Sequence, residues 1–174
     1  MSKTIALFAS ARRCGNTGKF IDGIAAEIDI EVIDLAQKRI SPYDYEHKNI
    51  HDDFVPLVKE LLMADNILFV TPVYWYGPSA QMKVFIDRCS DFLDVEELKE
   101  MGRELRQKTA YIVSTSISED ADEAFLSSLK NTFAYLGMRY GGRVHANCED
   151  GYLPDNYQKD VAGFLSHFDS KKTM

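Results

Sequence analysis

Short apolar runs alternate with stretches of helical periodicity along the whole chain. Residues 5–8 (IALF), 31–35 (EVIDL), 67–70 (ILFV), 110–113 (AYIV) and 139–146 read as strands. Three of these runs are almost unbroken in their apolar character, as strands covered on both faces are. Between them lie amphipathic stripes at three- and four-residue spacing. Phe20, Ile24, Ala25 and Ile28 form the first; Phe54, Val58, Leu61 and Leu62 the second. Met82, Phe85, Ile86, Cys89 and Phe92 form the third, Phe125, Leu129, Phe133 and Leu136 the fourth, ending at Gly137. Val161, Phe164, Leu165 and Phe168 complete the set.

Strands and helices in alternation predict an α/β domain: a doubly wound three-layer sandwich around a five-stranded parallel sheet of order 2-1-3-4-5. In that order the sheet reverses direction between strands 1 and 3, and the loops after Phe8 and Val70 meet at that crevice. Residues 1–170 read as one domain and 171–174 as a flexible tail. Two segments lack periodicity: residues 39–51, polar and aromatic, and residues 94–108, charged and helical in part.

Composition narrows the function classes. Lys and Arg total 20 against 27 Asp and Glu, a formal charge of −7 that disfavours nucleic acid. Cys14, Cys89 and Cys148 lie far apart, without the spacing of a metal site or disulfide framework, so a reducing cytoplasm is expected. No apolar run approaches the roughly 20 residues that span a bilayer, so no membrane insertion is expected. The opening MSKTIALFAS reads as a first strand rather than a signal segment.

The first candidate chemistry follows strand 1, where residues 10–19 read SARRCGNTGK. A loop entering a helix offers unpaired N–H groups and the positive end of the helix dipole to an anion. Ser10, Asn16 and Thr17 add neutral donors, Arg12 a charge, and Gly15 room for close backbone approach. A monoester phosphate suits this set. Nucleotide P-loop, dinucleotide and tyrosine-phosphatase patterns all fail at Arg13, Phe20 or the missing first glycine. Gly15, Asn16 and Thr17 also suit a plain helix cap.

The second lies at residues 71–88, TPVYWYGPSAQMKVFIDR, where a strand passes into an aromatic loop and then a helix. Pro72 and Pro78 fix its ends, Val73 to Gly77 offer backbone N–H groups, and Tyr74, Trp75 or Tyr76 supplies a stacking wall. The three aromatics also suit packing or a subunit contact. Lys83 and Asp87 have the spacing of a surface ion pair, and with Arg88 they read first as structural or interfacial, with phosphate binding by Arg88 or Lys83 as the second reading.

Together the two motifs resemble the flavodoxin-like FMN-dependent NAD(P)H oxidoreductases, over nearly the whole chain. Ser10, Arg12, Gly15, Asn16 and Thr17 match that family's phosphate motif; Pro72, Tyr74, Pro78, Lys83, Asp87 and Arg88 match its ring-binding motif. Ala9 stands where a glycine is usual and Cys14 where a small polar residue is common. The resemblance implies FMN as cofactor, NADH or NADPH as co-substrate, and a quinone, flavin or other small acceptor. It also implies a homodimer or higher homo-oligomer. The implied cofactor-binding residues are Ser10, Arg12, Cys14, Gly15, Asn16, Thr17, Pro72, Val73, Tyr74, Trp75 and Tyr76, with Thr115 and Ser116 after strand 4.

The family's iron–sulfur branch carries a cysteine cluster after strand 2, which ISPYDYEHKN lacks. No catalytic side chain and no metal ligand is assigned, and His47, His51, His145 and His167 receive no role. Tyr43 and Tyr45 are candidates to cover a flavin from above. Two other readings stay open: a flavodoxin-like electron carrier that does not oxidise a nicotinamide directly, and a flavin-free scaffold domain.

Overall fold

A computed structural model describes residues 2–169. The tail expected at 171–174 lies outside them. Five parallel strands form the sheet: β1 (Thr4–Phe8), β2 (Glu31–Asp34), β3 (Asn66–Tyr74), β5 (Thr109–Ser116) and β6 (Arg139–Asn147). Their order is β2-β1-β3-β5-β6, the predicted 2-1-3-4-5 arrangement once the short β4 (Gly77–Pro78) is set aside. β4 adds a two-residue antiparallel ladder at the end of β3, with Val73 opposite Pro78 and Tyr74 opposite Gly77.

Alternation along each strand builds two cores. Ile5, Leu7, Ile67 and Phe69 face a cluster with helices α2 (Phe54–Leu62), α3 (Ala80–Arg88) and α6 (Glu123–Tyr135). Ala6, Phe8, Leu68 and Val70 face the other, with α1 (Asn16–Ala25) and α7 (Gln158–Asp169). Burial of a side chain such as Phe20 or Phe133 stabilises the fold by about 1.5–3 kcal/mol relative to exposure.

The stripe through Phe92 is not one helix. α3 ends at Arg88, and Phe92 belongs to the separate turn α4 (Asp91–Asp94), followed by α5 (Lys99–Glu104) within the charged connector. The polar segment at 39–53 is pinned to these helices by charge. Arg88 is fully buried, bonded to Asp91 at 2.8 Å, Asp52 and the Ser41 carbonyl, with its guanidinium over the Phe54 ring. Asp91 also meets His47, and Tyr43 donates to Asp94. Burial of Arg88 withdraws it from any ligand.

Candidate active site

Three loops meet at the carboxyl edge of the sheet around a cleft of about 740 Å³. The first spans Ser10 to Gly15. Gly15 stands extended at the N-cap of α1 with no side chain capping the helix, so the first-turn N–H groups lack a side-chain acceptor there. Gly18, rather than Gly15, is the residue this turn demands. A Cβ at Gly18 would lie 1.6 Å from the Arg13 carbonyl oxygen, an impossible contact.

The side chains of the loop diverge. Arg12 is exposed and lines the cleft. Arg13 turns away, pairing with Asp22 and lying 5.0 Å over the Phe8 ring. Cys14 is exposed and is not among the residues that line the cleft. The reason is local: Gly15 N–H bonds the Arg12 carbonyl at 3.1 Å, and the turn so closed carries Arg13 and Cys14 on its outside. Asn16 accepts from the Tyr152 N–H at 3.3 Å through Oδ1, which leaves its amide N–H₂ as the free end.

The second loop is a tight hairpin. Trp75 and Tyr76 have φ of 50° and 63°, the left-handed pair that a two-residue turn between antiparallel strands requires. Gly and Asn usually fill such positions, and each bulky residue there stores about 1–3 kcal/mol of strain. The turn thrusts the aromatics outward: Tyr74 is 51%, Tyr76 68% and Trp75 95% exposed. Thr71 and Ser79 clamp the hairpin to the first loop. Ser79 N–H donates to Thr71 Oγ1 at 2.9 Å, and Ser79 Oγ donates to the Ala9 carbonyl at 2.8 Å while capping α3.

The third loop follows β5. Thr115 Oγ1 lies 2.7 Å from Thr17 Oγ1, both buried. Ser116 and Thr115 line the cleft beside Ile117, Ser118, Asp122 and Cys148, four residues the sequence pattern does not reveal. Burial pushes the Cys148 thiol above its ordinary value, keeping it protonated. Among the described lining residues Arg12 is the single cation and Asp122 the single carboxylate, and Asp122 is occupied as the N-cap of α6. Of the predicted residues, Ser10, Arg12, Gly15, Asn16, Thr17, Pro72, Val73, Tyr74, Trp75, Tyr76, Thr115 and Ser116 share this cleft. Tyr43 and Tyr45 do not line it.

An anion-suited helix entry and an aromatic hairpin, side by side at the switch point of a 2-1-3-4-5 sheet, define the class: a flavodoxin-like domain with its ligand cleft at the sheet reversal. Residues 2–150 match the NADPH-dependent FMN reductase family, and the chain belongs to it. It is 25% identical over 150 residues to a Bacillus subtilis protein provisionally named NAD(P)H-dependent FMN-containing oxidoreductase YwqN, covering 82% of this chain and 83% of that one. An iron–sulfur flavoprotein of Methanocaldococcus jannaschii is 31% identical over 149 residues, 78% of this chain and 74% of its own. In fold, the chain is similar to the Trp repressor binding protein of Bacillus subtilis, with a TM-score of 0.68, 22% identity and 94% of each chain covered.

Proposed function

We infer that the cleft holds FMN, with the phosphate at Ser10 to Thr17 and the ring against Pro72 to Tyr76. The chain then passes electrons from NADH or NADPH to a small acceptor such as a quinone or flavin. The observation that carries this reading is the convergence of both loops on one cleft of about 740 Å³, within the range of cofactor sites. The donor set fits the group. First-turn N–H groups, the Asn16 amide and Arg12 suit a phosphate, while an exposed aromatic rim suits a flat ring.

When bound, FMN supplies the two-electron chemistry that no side chain here provides. The protein's residues bind and orient. Arg12 attracts the anion, the Ser79 clamp holds the hairpin against the first loop, and Thr17 with Thr115 ties α1 to β5 beneath the cleft. The open rim would leave a cofactor held in the cleft within reach of small molecules from solvent.

The exposed Tyr74, Trp75, Tyr76 and Ile117 around the mouth support a homodimer or larger homo-oligomer that covers them. Three free thiols support a reducing, cytoplasmic setting. Purified protein should carry flavin absorbance or take up FMN, and protein that cannot be reconstituted refutes the reading. The formal charge of −7 favours one rival, an electron carrier that docks to a basic partner. Anaerobic bleaching of the flavin by NADH or NADPH excludes that rival; no bleaching supports it.

A further inference from the structure

Behind the third loop, a buried histidine reaches the cleft through a serine. His145 stands opposite Ser114 in the β5–β6 ladder and is 8% exposed. Its Nδ1 lies 2.9 Å from Ser114 Oγ; its Nε2 lies 3.1 Å from Ser116 Oγ and 3.3 Å from the Ser118 carbonyl oxygen. A carbonyl only accepts, so Nε2 carries the proton and Nδ1 accepts from the fully buried Ser114 hydroxyl.

Lone-pair accounting then fixes Ser116. Its Oγ accepts from the Ser118 N–H at 3.0 Å and from His145 Nε2–H, which is shared with the Ser118 carbonyl. A hydroxyl has two acceptor lone pairs and one proton, so with both pairs engaged it acts outward only as a donor. Ser116 lines the cleft. Burial holds His145 below its ordinary value of 6.5, with the Ser118 bond and Asp120 opposing and Arg143 assisting, so the imidazole is neutral at neutral pH.

We propose that His145 is a positioning residue that makes Ser116 an obligate hydrogen-bond donor to the cleft, a subsite selecting a ligand that presents an acceptor atom at the third loop. The same bonds hold Ser116 to Ser118 in one conformation, so the rim is preorganised. The proposal rests on the reading of the cleft as a flavin site for the ligand it names, but the tautomer and the rim stand without it.

The test pairs two substitutions with a spectrum. His145→Gln keeps a donor at the reach of Nε2, whereas His145→Asn keeps only the position of Nδ1. FMN titration should show His145→Asn weakened roughly tenfold, the scale of one lost hydrogen bond, and His145→Gln largely restored. In a Ser116→Ala background, His145→Asn should add nothing further. Equal weakening by both substitutions, or additivity with Ser116→Ala, overturns the proposal. Independently, imidazole nitrogen shifts of the ligand-free protein should report the Nε2–H tautomer at neutral pH, and the Nδ1–H tautomer overturns it. If the wild-type protein takes up no FMN while the tautomer is as stated, the flavin reading fails and the positioning of Ser116 survives.

Discussion

Thr17 and Thr115 stand 98 positions apart in sequence, yet their hydroxyl oxygens lie 2.7 Å apart in a buried contact. The bond joins the first turn of α1 to the end of β5, so two walls of the cleft share one strut. Neither hydroxyl can be removed without depriving the other, itself buried, of its partner.

Thr17→Val keeps the shape and removes the hydroxyl. It should cost about 1–3 kcal/mol of stability through the orphaned Thr115 hydroxyl, and FMN affinity should fall with it. Thr17→Ser should restore most of both. Urea midpoints and flavin titration check the pair; an unchanged Thr17→Val midpoint contradicts the strut.

The Arg12 side chain is exposed and makes no hydrogen bond or ion pair among the described residues, and its carbonyl bond to Gly15 is kept in any variant, so Arg12→Ala should shift stability by no more than about 0.5 kcal/mol. FMN binding should weaken, and the difference from wild type should shrink as salt rises. Titrations at low and high ionic strength decide it, and equal affinities at low salt refute a phosphate role for Arg12.

Replacing Trp75 and Tyr76 together by Asn and Gly supplies the residues that left-handed turn positions prefer. Stability should rise, by up to the about 1–3 kcal/mol that each strained position stores, while FMN binding weakens for want of the aromatic wall. Opposite signs in thermal denaturation and flavin titration are the expected signature. A loss of stability would show the turn unstrained.

Arg88→Ala leaves Asp52 and Asp91 facing each other without their shared cation, and should cost about 3–5 kcal/mol. Burial pushes the Asp52 carboxyl upward, but the Arg88 guanidinium and the Ser41 and Phe54 N–H groups together outweigh it and hold the group below its ordinary value of 3.8. Its folded pKa is depressed, so its contribution is complete above 3.8 and is lost as pH falls from there through the lower folded value. Acid unfolding of wild type should therefore steepen below that point, and the Arg88→Ala variant should show a shallower slope.

Much of this was legible in advance for a definite reason. Ile5, Ala6, Leu7 and Phe8 are buried on both faces of the sheet, and continuous apolar runs of that kind stand out in any sequence. Alternation with helical stripes then leaves few topologies. The hairpin was hidden because Trp75 and Tyr76 contradict the preferences of the turn they make; tertiary context overrides them. Ser79, Thr71 and His145 were hidden because their partners come from other strands and loops. That Cys14 stands apart from the cleft lining was also hidden, because adjacency in a motif does not say which side of a turn a residue occupies.

Trp75 is the single tryptophan of the chain, and 95% of it meets solvent at the mouth of the cleft. The protein's indole emission therefore comes from one known spot. In the lone chain that indole is already wet, so its colour should change little when such a chain unfolds, and tryptophan fluorescence is then nearly blind to stability. It is well placed instead to report occupancy: a ring settling on the rim would dim it, and a second subunit covering it would shift it to the blue.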